Sequence, residues 1–462
     1  MDAAAPAADA RSALRRLLAL AWPIVVSRSS QVVVGLCDAV MVAHLGETAL
    51  AATTTGAMNA TAIFILPMGI VFIVGSFASQ LFGRGDLRGA RRYGWYGLAV
   101  AVGTQLVAMA AIPGIRPLVG ATYEDAALGE LLASYLRWRL LSSGAAVGLE
   151  ALASYHGGLG DTRRPMVANL AAMVLNVAGN WLLIDGHLGA PALGVAGAAI
   201  ASALSTTIAF LGLAALFVRD GQRAGRRGPG DALRARELWR MLRFGFPSGV
   251  NWFLEFFAFI FFVNVLVAGL GTTSLAALMS VLQINAVAFM PAFALASAGA
   301  ILVGQAIGAG RRELVPRLVA VTFGACAVWE GAMGIAYVAA PGLLLAPFAR
   351  DAASAGALVA VGASVLRLSA AWQLFDAAVA TLSEALRAAG DTAYTLWARL
   401  AVAWLFFVPG SFVSLRWLGG GDRTAVSWIV AYLAVLAVVL WVRFRSGAWR
   451  RIELVDPVPQ VE

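Results

Sequence analysis

The sequence predicts an all-α polytopic membrane protein: twelve transmembrane helices in two six-helix lobes related by pseudo-two-fold symmetry. Three observations carry that expectation. Hydrophobic residues make up 60% of the 462-residue chain against 13% charged, and the mean hydropathy is +0.80, more than a soluble core requires. The apolar residues gather in runs of 20 or more, the length that spans the hydrocarbon as a helix. The chain also repeats itself, with its second half answering the first.

Twelve runs can be delimited between charged or Gly/Pro-rich breaks: 17–43, 52–80, 93–118, 131–155, 165–187, 192–218, 241–270, 274–307, 316–346, 353–387, 393–415 and 423–443. The first follows Arg15 and Arg16, as a signal peptide would. It is too long for one, contains Arg28 and Asp38, and lacks a cleavage site, so it is expected to stay as a membrane helix. The divisions expected are a cytoplasmic segment 1–16, an N-lobe 17–218, a linker 219–240, a C-lobe 241–445 and a tail 446–462. The linker, "RDGQRAGRRGPGDALRARELWR", carries seven arginines with Gly and Pro, a composition that favours an extended solvated connection.

The net charge of +9 would suggest nucleic acid in a soluble protein. Here 25 of the 34 basic residues sit at the termini or after every second run, and six on the opposite side. That asymmetry predicts cytoplasmic termini and reads as topology, with no nucleic-acid partner; the membrane expected is the cytoplasmic (inner) membrane of a bacterium. Every basic residue is arginine. Without lysine there is no P-loop, which argues against an ATP-driven pump. Cys37 and Cys326 fall inside apolar runs without metal-like spacing, and His44, His156 and His187 show no ligand pattern. With no HExxH, GxSxG or dinucleotide fingerprint, neither an enzyme nor a cofactor is expected.

The repeat is visible in three places. "VAHLGETALAA" (42–52) aligns with "VAGLGTTSLAA" (267–277), "ASQLFGRGD" (78–86) with "VGQAIGAGR" (303–311), and "GLGDTRRPM" (158–166) with "AAGDTAYTL" (388–396). Six spans duplicated in one orientation suit two lobes about an axis along the membrane normal, an architecture of alternating access.

These segments, with "DAVMVAHLGETALAA" at the end of the first run and "LGVAGAAIAS" (193–202) opening the sixth, resemble the multidrug and toxic compound extrusion (MATE) family across nearly the whole chain. The resemblance implies secondary antiport, in which an organic, often cationic compound leaves the cytoplasm as Na⁺ or H⁺ enters. Its partners would be amphipathic or cationic small molecules and membrane lipids, and the chain would act as a monomer. A flippase of lipid-linked precursors is the nearest alternative, disfavoured by the helix count and the acids at mid-depth. A polytopic membrane enzyme would need a nucleophile, base or metal set that the sequence does not show.

The acids stand out independently of the resemblance. At 1.5 Å rise per residue, Glu255 in "NWFLEFFAFIFF" lies roughly 18 Å from Arg243 and about 21 Å from Gly269, near the midplane. Asp376, in "AAWQLFDAAVA", lies roughly 16 Å from Arg387. Two carboxylates at one depth can ligate Na⁺, share a proton or face an organic cation. Both match positions where the family carries cation-binding acids, so Glu255 and Asp376 are the expected ion site. In the first half, Asp38 lies at an outer depth similar to that of Asn180, and Asn176 and Asn180 share a helix face at i and i+4, so the three are expected to cluster. The resemblance marks Asp38 as a recurrent functional acid. It also implies a second acid where this chain has Asn180, in the branch associated with a proton switch.

Glu150 and Glu330 also fall at mid-depth without a family match. Arg28 departs from the family pattern and is expected to snorkel or to pair with an acid such as Glu150, and Glu384, three residues from Arg387, is read as interfacial. A pocket for varied amphipathic cations needs adaptable apolar and aromatic surface. Phe253, Phe256, Gln283, Asn285, Phe289, Met290 and Trp372 are the candidates for it.

Overall fold

The computed structural model describes residues 10–223, 232–262, 272–348 and 355–455, and among them every regular element is helical. The first half contains α1 (Ala10–Val42), α2 (Glu47–Phe72), α3 (Val74–Gly83), α4 (Leu87–Thr122), α5 (Ala126–Leu140), α6 (Ser143–Gly158), α7 (Arg163–Ile184) and α8 (Val195–Arg223). The second contains α9 (Ala235–Phe261), α10 (Thr272–Gly308), α11 (Val315–Ala339), α12 (Pro341–Leu345), α13 (Ala355–Ser369), α14 (Gln373–Ala389), α15 (Thr392–Ala401), α16 (Val408–Phe412) and α17 (Asp422–Arg445).

Among the described residues nine helices, counting α2–α3 as one, are long and apolar enough to cross a membrane. The pair α13–α14, bent by 51°, makes a tenth. The expected count of twelve is not reached by this measure among the described residues. The run 131–155 is divided at Leu141 and Ser142 into α5 and α6, each too short alone. The run 241–270 extends past the last described residue of its segment, Phe262.

The internal repeat shows in the turns. Gly85 and Gly310, 225 positions apart, end α3 and α10 with φ of 83° and 76°. Gly160 and Gly390 stand in the two Gly-Asp-Thr segments with φ of 82° and 90°. These left-handed angles cost an L-residue its Cβ clearance, so glycine recurs at each helix end. Two further helices are started by aspartate caps. Asp86 accepts from Gly89 N at 2.7 Å to open α4, and Asp125 from Ala127 N at 2.9 Å to open α5.

The chain forms two compact units, Trp22–Gly249 and Met1–Ala21 with Val250–Glu462. Both divisions fall inside helices, α1 and α9, rather than in the arginine-rich connection. Packing within the first unit explains the division in α9, because a Cβ built on Gly249 would lie 2.5 Å from Leu66 O and one on Gly245 2.6 Å from Ile70 O. Such backbone contact needs glycine, the usual device where lipid offers no hydrophobic drive to association. The start of α9 is tied to α4 by charge. Arg92 donates to both carboxylate oxygens of Glu237 at 2.8 and 2.9 Å, and Tyr96 Oη donates to Glu237 Oε2 at 2.9 Å. The second unit packs around Phe262, Tyr337, Leu366, Trp372, Phe407 and Val426, all buried.

Candidate functional site

The second unit encloses a cavity of about 450 Å³, and its lining follows helix geometry. From α9 come Asn251, Leu254, Glu255 and Ala258, spaced by three and four as one helix face requires. From α10 come Leu282, Asn285, Ala286 and Phe289, again a single stripe. The break at Ala370–Trp372 begins α14 inside the apolar layer, so Gln373 and Asp376 enter the cavity wall from the first turn of a half-helix. Arg399 enters from α15, just before the backbone widens into a π-helical stretch, Val402–Phe407. Tyr432 of α17 lines the remaining wall.

Two carboxylates and one guanidinium thus share one cavity. Arg399 Nη1 donates to Glu255 Oε1 at 2.5 Å, with side-chain exposures of 14% for the arginine and 52% for the glutamate. The glutamate therefore reaches into the opening while the arginine is held in the wall. Asp376 lines the same opening, and no ion pair to it is found among the described residues. If all three groups are ionised their sum is one negative charge, a setting that attracts a single monovalent cation. Around them the wall is apolar and aromatic, with Phe262, Phe289, Trp372, Trp404 and Phe407. Carboxylate oxygens can hold Na⁺ or a proton, and aromatic faces can hold an organic cation.

Of the residues expected to meet substrate, Asn285, Phe289 and Trp372 line this cavity. Phe253, Phe256, Gln283 and Met290 do not. Phe253 meets Phe257 at a tilt of 38° with centroids 4.5 Å apart, and Phe256 meets Phe257 at 6.3 Å. Gln283 is exposed on α10 and Met290 half-buried, each one position off the lining stripe. Arg399, Gln373 and Tyr432 were not singled out from sequence. Arg399 carried a legible signal, since a charge within the apolar run 393–415 is the same anomaly that marks Arg28.

The first unit holds a second polar cluster, fully enclosed. Asp38 is 6% exposed, and Asn176 and Asn180 are 0%. Asp38 Oδ1 accepts from Asn176 Nδ2 at 3.0 Å and from Asn180 Nδ2 at 2.5 Å, and Oδ2 accepts from Ser202 Oγ at 2.8 Å. The i, i+4 spacing of the asparagines delivers both amides to one carboxylate, as the sequence suggests. Asn180 Oδ1 meets no partner. A spare buried carbonyl oxygen beside a carboxylate is a donor set that fits a hard cation. Elsewhere in the same unit, Arg28 donates to both oxygens of Glu150 at 3.1 and 2.7 Å, so the odd arginine is neutralised by an acid on α6. Glu384, read as interfacial, is instead buried and takes Arg387 Nη2 at 2.5 Å and Ser297 Oγ at 3.4 Å.

A helical membrane protein with a broken span and carboxylates buried in each unit belongs, by architecture, to the transporters. The MatE family profile matches residues 23–182 and 247–413. A probable multidrug resistance protein NorM of Pseudomonas putida is 30% identical over 458 residues, covering 95% of this chain and 94% of that protein. The NorM protein of Mesorhizobium japonicum is 29% identical over 450 residues, 94% of each chain. Among solved structures, an outward-facing multidrug resistance MATE family transporter of the MOP superfamily superposes with a TM-score of 0.85 at 22% identity. That match covers 95% of this chain and 97% of the other. The chain belongs to the MatE family, the multidrug and toxic compound extrusion transporters.

Proposed function

We propose that the protein is a secondary active multidrug exporter of the bacterial cytoplasmic membrane, moving amphipathic, often cationic compounds outward as Na⁺ or H⁺ moves in. The observation that carries this reading is the cavity of about 450 Å³ whose aromatic wall holds Glu255, paired with Arg399, and Asp376, which has no ion pair among the described residues. The inward-moving ion binds at the two carboxylates. The organic cation competes for the same negative charge while its apolar body packs on Phe289, Trp372 and Phe407. Such competition couples the two fluxes if ion and drug favour different states of the transporter. Asp38, Asn176 and Asn180 form a second cation site that biases the same equilibrium. The chain acts as a monomer, without a cofactor, with both termini in the cytoplasm.

Na⁺ is the first choice of ion, because the second-unit pair matches the sodium-associated branch and the Asp38 cluster has an amide where the proton-type cluster has an acid. Proteoliposomes given a sodium gradient at equal pH, then a pH gradient without sodium, test it with wild type, Glu255→Gln and Asp376→Asn. Sodium-driven efflux lost in both variants is the expected result. Efflux driven only by the pH gradient overturns the sodium assignment, and unchanged efflux in both variants removes these acids from the mechanism.

A further inference from the structure

Glu330 sits in the middle of α11 and is 1% exposed. Its Oε1 meets no hydrogen-bond partner, and its Oε2 lies against the side-chain amide of Gln373. No arginine or histidine faces it among the described residues, and Asp376 is the charged group whose field it feels. The elements packed on α11 supply no counter-charge. Helix α10 has no ionisable residue, only neutral amides, and α14 adds Glu384 and Arg387, which pair with each other. Arg367 of α13 is exposed, Arg312 and Glu313 lie at the far end of α11, and on α11 itself only Cys326 and Tyr337 are near. An ionised carboxylate is poorly tolerated in that setting.

The hydrogen bonds beside it depend on its proton. The oxygen and nitrogen of an amide exchange places by a half-turn, so each orientation is judged by its partners. In one, Gln373 Nε2 donates to Asn285 Oδ1 at 2.6 Å, and Asn285 Nδ2 donates to Val281 O at 2.9 Å. Gln373 Oε1 then faces Glu330 Oε2, two acceptors that need a proton between them. In the other, the Gln373 NH₂ donates to an ionised Glu330 and its oxygen accepts from Trp372 Nε1 at 3.1 Å. That oxygen now faces Asn285 Oδ1 at 2.6 Å, so Asn285 must turn too and give up its bond to Val281. The donor chain from α11 through α14 to α10 is unbroken only with a proton on Glu330.

We propose that Glu330 is a proton-binding site of this transporter, and that its proton sets the orientation of the Gln373 and Asn285 amides in the cavity wall. It rests on the function proposed above only in taking that cavity as the binding pocket. Glu330 and Asp376 are neighbouring carboxyl groups with no counter-charge between them, so a cation bound at Asp376 lets the proton leave Glu330, and the two amides turn. Cation binding and proton release are then one linked equilibrium.

The test uses purified full-length protein in weakly buffered detergent, with tetraphenylphosphonium as probe and a pH indicator to count protons released on binding. Glu330→Gln keeps a donor toward Gln373 Oε1 and so fixes the protonated arrangement. It is expected to bind the probe and to lose up to one proton per probe relative to wild type. Equal proton release by wild type and Glu330→Gln overturns the proposal. Unchanged probe affinity in Glu255→Gln and Asp376→Asn would instead overturn the pocket. A second measurement stands apart from binding: infrared spectra of protein with isotope-labelled glutamate, in which the C=O stretch of a protonated side chain is resolved. The other buried glutamates, Glu150, Glu237 and Glu384, are paired with arginines. A protonated band is expected in wild type and in Glu255→Gln, and its disappearance in Glu330→Gln supports the site. Should Glu330→Gln fail to accumulate, retention of the band in Glu255→Gln supports it, and no such band in wild type overturns it.

Discussion

Arg399 donates to Glu255 at 2.5 Å across 144 residues of sequence, from a helix that follows the break in the membrane-embedded α13–α14 pair. The pairing supplies part of what a carboxylate among phenylalanines lacks. It also makes Arg399 a competitor for any cation that enters the cavity. Arg399→Gln is expected to raise the equilibrium affinity for a lipophilic cation on the order of tenfold, about 1.4 kcal/mol, by freeing Glu255. Drug efflux should fall in the same variant, since a site that holds its cation in both states cannot release it. Titration calorimetry and vesicle efflux on one preparation check both halves. A variant with unchanged affinity would reduce Arg399 to helix packing.

The enclosed cluster at Asp38 allows a structural role to be separated from a binding role. Asp38→Asn can keep its oxygen toward Asn176 and Asn180 and turn its NH₂ to Ser202 Oγ, which can accept, so it should abolish resistance while costing no more than about 1 kcal/mol of stability. Asn180→Ala leaves Asp38 with two of its donors, Asn176 and Ser202. It removes the unpartnered Oδ1, and is expected to fold with a thermal midpoint lowered by the lost hydrogen bond while sodium no longer stabilises the protein. Thermal unfolding in detergent with and without sodium measures this. A sodium shift of wild-type size in Asn180→Ala would exclude that oxygen as a ligand.

Much of the fold is legible in the sequence, because its signals are local. Long apolar runs and the glycine turns at 85, 160, 310 and 390 are local signals, set by hydrocarbon thickness and by backbone sterics. The division of 131–155 is not local: Gln105 of α4 accepts from Gly144 N at 2.8 Å and donates to Leu140 O at 3.3 Å, bridging the gap between α5 and α6. No pattern within the run announces that bridge. The cavity lining could have been read more closely. Counting three and four residues from Glu255 leads to Asn251 and Ala258 and passes over Phe253 and Phe256, which were chosen for their chemistry alone. Arg399 carries the same charge anomaly within an apolar run as the acids it faces, and a charge of either sign at mid-depth marks the site.

The arginine asymmetry makes a claim about sidedness that labelling can check. With Cys37 and Cys326 replaced by alanine, a cysteine at exposed Ala232 should be shielded from an impermeant thiol reagent in intact cells. A cysteine at Leu188, which is 87% exposed in the connection between α7 and α8, should react. The reverse pattern would invert the orientation and place both termini outside.

The bidentate pair of Arg28 and Glu150 sets the last expectation, because it holds two opposite charges inside the first unit. Their side chains are 18% and 5% exposed, so solvent can do little for either one alone. Removing one partner leaves an uncompensated charge in an apolar bundle, a change that costs about 3–5 kcal/mol where the pair is buried. Removing both for apolar groups of similar size is often neutral, since desolvation of the pair is removed along with its attraction. Arg28→Met and Glu150→Leu are therefore each expected to lower the thermal midpoint and the yield of folded protein. The double variant should recover most of the loss, a strongly non-additive cycle. If the pair is structural, the double variant also exports drugs at the wild-type rate. A stable double variant without efflux would place Arg28 and Glu150 in the transport pathway, and additive losses in stability would mean that the two charges do not compensate each other.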